Sequence, residues 1–285
     1  MKKISVILLL CFWQLFAQKA SFELGLIYQQ QNNETKNQLD LFIGKLKDAL
    51  NNYDWEFPLT DFEQIENSIT INLEKEESGY NFKGMISFSS GIKQSGYTVM
   101  LQKRDVIFSE SDISAVISYV DEPDLNNQNI NSLENILKFY IFCSLLENFD
   151  RLSYTDNDNF YLYGEKYISK LTALTGRANS SDAIEKWEKR KALLDKYLSG
   201  AKNEERKLNA LIYNARYFIN DYKTDRARHF LPQIMTRLEK IPKESQTAFF
   251  NSYYADMAEL LRLDKEKTYQ DKVKKMDPAH AKFYK

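Results

Sequence analysis

His229 and His280, with Cys11 and Cys143, are the whole stock of imidazole and thiol chemistry in this 285-residue chain. Zinc binding or base catalysis calls for such groups at short spacings such as His-Glu-x-x-His, because a single turn must aim both donors at one ion. Here each stands apart. His229 precedes Phe230 inside a helical stripe and reads as a surface or packing residue. His280 lies near the end of the sequence, a stretch expected to be disordered. Cys143 closes the run Ile136-Leu137-Lys138-Phe139-Tyr140-Ile141-Phe142-Cys143 and is expected to be a buried small hydrophobe. The nine glycines form neither Gly-x-Gly-x-x-Gly nor a phosphate-cradling loop, and Gly-x-Ser-x-Gly is absent. The acidic pieces Asp121-Glu122-Pro123-Asp124 and Asp156-Asn157-Asp158-Asn159 suggest calcium by composition. The second lacks the loop glycine and distal glutamate of an EF-hand, and both are read as turns. Carboxylates abound, but nothing singles out a pair for glycoside hydrolysis. No catalytic residue, cofactor, cofactor-binding residue or metal ligand is therefore assigned, and the chain is expected not to be an enzyme.

What positions these residues begins with an export signal. Lys2 and Lys3 precede an apolar run over residues 4–16, followed by the small Ala17. A run of thirteen residues is shorter than the roughly 20 a membrane helix needs, so residues 1–17 read as a signal peptide cut after Ala17 or Gln18. A competing reading lipidates Cys11, but Leu8, Leu9 and Leu10 stand where a small residue is wanted. Without the leader Cys143 is the one remaining cysteine, so no intramolecular disulfide forms and the fold rests on its core. The longest later apolar stretch, residues 136–146, is interrupted by Lys138 and Ser144 and reads as a core helix.

About 268 residues remain, enough for two domains. Charge divides them: residues 18–180 hold 14 Lys+Arg against 24 Asp+Glu, and residues 181–285 hold 23 against 16. The two parts can attract one another, or the basic part can meet an acidic partner; an exported chain is not expected to meet nucleic acid.

Phe22, Leu24, Leu26 and Tyr28 alternate as a strand over residues 21–29. Leu39, Phe42, Ile43, Leu46 and Leu50 line one face of a helix over residues 34–50, which ends at Asn51-Asn52, and an aromatic link around Trp55 tucks under a sheet. Period-two alternation follows at Ile69, Ile71 and Leu73 and at Phe82, Gly84, Ile86 and Phe88. Shorter pieces at 97–101, 106–108 and 116–120 extend a meander. A buried helix over residues 131–149 comes next. From Tyr163 the period is helical throughout, with stripes at Leu208–Ile219, Ala227–Leu238 (kinked or begun by Pro232) and Phe249–Leu261. The predicted class is α+β: a leader at 1–17, an N-terminal α/β domain at 18–150 with a mostly antiparallel sheet and a packed helix, and an all-α helical-hairpin domain at 151–285. The aromatic clusters at 159–163 and 249–254 read as packing residues of these elements.

This order of elements resembles the PorD family of Bacteroidota type IX secretion system proteins, formerly a domain of unknown function. The likeness covers nearly the whole mature chain. It is carried by the strand from Phe22 to Tyr28, the helix before Trp55, the buried Leu137-Lys138-Phe139-Tyr140 helix running to Phe149-Asp150, and Met276-Asp277-Pro278-Ala279-His280-Ala281-Lys282-Phe283-Tyr284. The last resembles a hydrophobic-Asp-Pro-x-x-Ala-x-x-Tyr ending. The chain departs from the family after the buried helix, where residues 150–159 replace a glycine-rich turn. The resemblance implies a non-enzymatic accessory role in secretion across the outer membrane, and in motility of gliding species. Its partners would be other envelope secretion-system proteins, and its place the periplasm, extending to peripheral association with the outer membrane. Pro278 takes Asp277 out of helix, so the tail turns off the last helix and brings Phe283 and Tyr284 back onto it or toward a partner. These two are the candidate interaction residues. The competing readings are a periplasmic ligand- or peptide-binding module with a cleft between acidic and basic halves, and an envelope hydrolase using carboxylates.

Overall fold

The computed structural model describes residues 20–28, 33–56, 63–78, 81–94, 102–117, 122–152 and 162–285. The leader with Cys11, the strand expected at 97–101, the acidic piece at 156–159 and the aromatic residues Phe160 and Tyr161 lie outside them. The described chain is α+β, with a sheet first and helices after it. Contacts divide it into two compact units between Tyr140 and Ile141, earlier than the expected 150 and inside a helix.

In the first unit, β1 (Ala20–Tyr28) leads through helix α1 (Asn33–Asn52) to β2 (Glu63–Ser78), β3 (Asn81–Gln94) and β4 (Gln102–Val116), in sheet order β1-β2-β3-β4. The α1 crossover makes β1 parallel to β2, from Ala20 opposite Ile65 to Tyr28 opposite Leu73, and the other two pairings are antiparallel. The alternation read from sequence holds, with Ile69, Ile71 and Leu73 buried along β2 and Phe82, Ile86 and Phe88 along β3, and it extends to the buried Ile65 and Ile92. Leu39, Phe42, Ile43, Leu46 and Leu50 of α1 are buried as expected. Trp55 is buried too, donating its indole N–H to the Leu50 carbonyl at 2.9 Å with its ring 5.4 Å from that of Phe22.

β1 is an edge strand in this sheet order, and Asn51 covers part of its open side. The Asn51 side chain accepts from Phe22 N–H and donates to the Phe22 carbonyl, both at 3.0 Å, as a neighbouring strand would. At the other edge the expected strand piece at 106–108 falls within one longer strand, residues 102–116, with irregular register, and most of the piece expected at 116–120 lies outside the described residues. Opposite Gly84 and Ile86 stand Ile113 and Glu110, so β4 carries an extra residue there, and Asp112 takes a left-handed φ of 58°. The sequence conceals this bulge because no glycine marks it. Gly84 faces a bulge in β2 between Leu73 and Lys75, and a Cβ there would lie 2.0 Å from the Asn72 carbonyl oxygen.

The buried helix, α2 (Leu133–Leu152), starts slightly later than expected and is buried on nearly every face. In its first half Tyr140 lies 5.8 Å from the Phe108 ring and donates to Glu110 at 2.5 Å. In its second half Phe142 and Phe149 flank Tyr167 at 6.3 and 6.5 Å. The two ends of one helix therefore serve different cores, which accounts for the division at Tyr140.

The second unit continues with α3 (Leu162–Thr175), α4 (Ser181–Leu198), α5 (Gly200–Asn220), α6 (Thr224–Arg228), α7 (Phe230–Leu238), α8 (Lys243–Arg262), α9 (Gln270–Met276) and a 3₁₀ helix (Pro278–Phe283). The expected stripe around Pro232 is two helices, and Pro232 falls in the first turn of α7, where its missing N–H costs nothing. Leu208, Leu211, Phe230, Ile234, Phe250, Met257 and Leu260 form one buried cluster from these helices.

Beside that cluster the unit buries charge. Arg206 of α5 gives Asp150 of α2 a two-pronged contact, Nε to Oδ2 at 2.5 Å and Nη2 to Oδ1 at 2.9 Å, with Glu165 at 3.5 Å from Nη1. Burial works against the guanidinium charge, but the hydrogen bonds and charge of Asp150 outweigh it and hold Arg206 above its ordinary value. Tyr197 donates to Glu147 at 2.5 Å, and burial followed by that carboxylate's charge pushes its phenol well up. Cys143 is buried, as its apolar run implied.

Candidate functional site

Among the residues singled out by sequence, the tail places four in one constellation. α9 ends at Met276, Asp277 leaves helical geometry at φ −129° and ψ 74°, and Pro278 opens the 3₁₀ helix as its first residue. This is the stop that Asp277-Pro278 implied. The reading of the end as disordered is corrected: residues 278–283 form that helix, and Tyr284 is fully buried in the cluster with Phe250 and Val273.

Asp277 organises the constellation. Its buried carboxylate accepts the Tyr284 hydroxyl and faces His280 Nδ1 at 3.0 and 3.1 Å. His280 stacks nearly parallel on Tyr254 of α8, 4.4 Å between ring centres at 8°. Phe283 leans on Tyr254 at 5.0 Å, carries Lys282 Nζ 5.0 Å above its own ring, and stays 41% exposed. The two candidate interaction residues thus divide: Tyr284 packs back on the helices, and Phe283 faces outward.

Chemically, a carboxylate behind an imidazole is half of an acid–base device, which also needs a nucleophile in contact with the ring. The hydrogen-bonding partner of His280 among the described residues is Asp277, and its other neighbours are the aromatic rings of Tyr254 and Phe283. The geometry ties the tail to α8 through one buried anion. His229 lies at the junction of α6 and α7, exposed and far along the chain from this cluster. Asp124 opens a turn, its carbonyl accepting from Asn127 N–H at 3.0 Å and its Oδ1 from Asn126 N–H at 2.8 Å, and Glu122 lies in irregular chain before it. Among the described residues no three His, Cys, Asp or Glu gather to hold a metal, and no helix is long and apolar enough to cross a membrane.

Sequence reasoning read Tyr254 only as a packing residue of the 249–254 cluster and gave Asp277 only a helix-stopping part. The i,i+3 and i,i+7 spacings from Asp277 to His280 and Tyr284 were the available signal. They went unused because a 3₁₀ helix after proline was not anticipated.

Burial, then the hydrogen bond and charge of Asp277, hold the Tyr284 phenol well above its ordinary value. A raised tyrosine adds stability that is complete below the unfolded value, about 10, and is lost as pH climbs through the folded value. Tyr284→Phe is expected to cost about 1–2 kcal/mol at pH 7 by leaving the Asp277 carboxylate short of a donor. Urea unfolding should show the gap from the parent narrowing above about pH 10.

Set against known proteins, the chain matches no protein-family model, no curated protein and no solved structure.

Proposed function

We propose that this chain is an exported, non-enzymatic accessory component of a type IX secretion system, of the PorD kind, acting through folded surfaces in the periplasm or at the inner side of the outer membrane. The observation that carries the reading is the build of the segment from Met276 to Tyr284. The residues that bear the family likeness are spent on docking a short tail: Asp277 binds Tyr284 and His280, and Tyr284 fills the core. What the tail presents outward is an aromatic edge, Phe283 against Tyr254 with Lys282 above it. Aromatic and cationic groups held rigidly at a surface are the composition that protein contacts favour. The acidic residues 18–180 and the basic residues 181–285 supply further surfaces of opposite net charge.

The test is affinity capture of the full chain from envelope fractions of a type IX-secreting host, beside a Phe283→Ala variant. Co-recovery of outer-membrane secretion components by the parent, reduced at least severalfold by the variant, supports the role. Recovery of a bound small molecule or peptide alone would move the assignment to a periplasmic binding module, and turnover of a substrate by the purified chain would end it.

A further inference from the structure

The open edge of β1 is left unprotected in a way that the β4 edge is not. Successive residues of a strand send their main-chain groups to opposite sides, and Phe22 sends its N–H and C=O outward to Asn51. Leu24, Leu26 and Tyr28 therefore present theirs to the open side as well, while Gly25 and Ile27 bond toward β2. Among the described residues the outward groups of Leu24 and Leu26 meet no hydrogen-bond partner. Sheets normally blunt such an edge with a bulge, a proline, a lysine or a cover. β4 has its bulge, and its last residue, Val116, donates to the Asn131 carbonyl at 3.0 Å. β1 runs in unbroken register from Ala20 to Tyr28, contains no proline or lysine, and has its one charge, Glu23, taken by Lys47 at 2.6 Å.

Three contacts fix which flank of α1 borders this edge. Asn51 bonds Phe22, Lys47 reaches Glu23, and Lys36 stands over the Tyr28 ring at 5.3 Å. At the helical repeat, Asp40 and Gly44 complete the same flank. From Asn51 back to Gly44 the helix advances about 10 Å, the length of about three strand residues, so Gly44 stands level with the stretch from Leu24 to Leu26. A glycine inside a helix weakens it relative to alanine and calls for a packing reason. The fold itself supplies none, because a Cβ built on Gly44 would meet nothing within 4 Å. An empty notch thus lies beside main-chain groups that lack partners.

We propose that the edge of β1 from Leu24 to Tyr28 takes up an extended segment of a partner protein as an added strand, with alternate side chains of that segment entering the notch at Gly44. The main-chain groups of the edge supply the hydrogen bonds and the notch supplies selection among side chains. A second copy of this chain does not fit. Strands pair at about 4.8 Å, and α1 packs on β1, so two β1 strands joined about a two-fold axis would set their α1 helices on one face far closer than the roughly 8–10 Å that packed helices need. Charge adds to the choice: among the described residues no carboxylate forms an ion pair with Lys36, which suits a segment with an acidic residue at its Tyr28 end. This edge belongs to the first unit, and its use does not depend on the role proposed for the tail.

The test titrates the full chain with a fluorescent peptide of alternating valine and threonine carrying glutamate at both ends, beside the same peptide N-methylated throughout, which has no main-chain donors left. The expected result is saturable binding with a dissociation constant below about 1 mM, weakened at least tenfold by N-methylation. At saturation, amide exchange at Leu24, Leu26 and Tyr28 should slow at least tenfold, while Gly25 and Ile27 are slow from the start. Leu26→Pro removes an outward donor without breaking a ladder bond, and Gly44→Gln fills the notch without touching the strand, where its Cβ has room. Each should weaken binding severalfold or more, and Gly44→Gln keeps the fold if Leu26→Pro does not. Phe283→Ala should leave peptide binding unchanged, which separates this edge from the tail. No saturable binding up to about 1 mM, equal binding of the methylated peptide, or binding unchanged in Gly44→Gln overturns the proposal. So does a dimer in sedimentation that protects the same amides without peptide, since it would give the edge to a second copy.

Discussion

Alanine at position 164 is expected to cost the helical unit about 3–5 kcal/mol, the range seen when a buried ion pair is broken and one charge is stranded. A methyl group there would lie 2.0 Å from Arg206 Nη2, 2.6 Å from Asp150 Oδ1 and 2.7 Å from Leu146 Cδ1. An arginine tip ordinarily swings aside at little cost. This one is 1% exposed and bonded to Asp150 through two nitrogens, so it moves only by surrendering the pair. Against a typical domain stability of about 5–15 kcal/mol, that is a large share. A double-mutant cycle supplies the check: with Asp150 and Arg206 first replaced by leucine and methionine, Gly164→Ala should lose much of its effect. Strict additivity would show that the methyl group harms something other than the pair.

In the first unit, Gly84→Ala is expected to cost about 2–4 kcal/mol, at or above the usual range for overpacking. The added carbon would run into the β2 backbone: the Asn72 carbonyl oxygen at 2.0 Å, its carbon at 3.0 Å and Leu73 Cα at 3.1 Å. β2 and β3 are held by paired backbone groups above and below this point, so the strands must part locally or lose register. Tryptophan emission can assign each loss to its unit, because Trp55 is buried in the first and Trp187 in the second. Gly84→Ala should lower the denaturant midpoint reported by Trp55, and Gly164→Ala that reported by Trp187. A reversed pattern would refute both arguments.

Both glycines were visible in the sequence, but only one was placed by it. Gly84 lay in an alternating run, and its facing position followed from period two. What the period could not carry was the bulge opposite, which turns a merely inward position into one that tolerates no side chain. Gly164 had no sequence signal, since its constraint comes from Asp150 and Arg206, distant along the chain. The same contrast runs through the fold. Leu39, Phe42, Ile43 and Leu46 marked the face of α1 because each residue's burial follows from its neighbours' spacing. The single bent β4 was read as separate pieces because Asp112 adopts a left-handed backbone without the glycine that usually announces it. In the candidate site, the helix stop at Asp277-Pro278 was legible. The carboxylate's hold on His280 and Tyr284 was not, since it depends on the short 3₁₀ helix that rotates both side chains onto one side.

The parallel pairing of β1 with β2 bears on the order of assembly. β2, β3 and β4 follow one another along the chain and can zip as successive hairpins, each closing a short loop. β1 reaches its register only after the whole α1 crossover is in place, a longer closure rewarded late. The amino-terminal strand is therefore expected to join the sheet last and to leave it first, with the Asn51 hydrogen bonds to Phe22 closing at that final step.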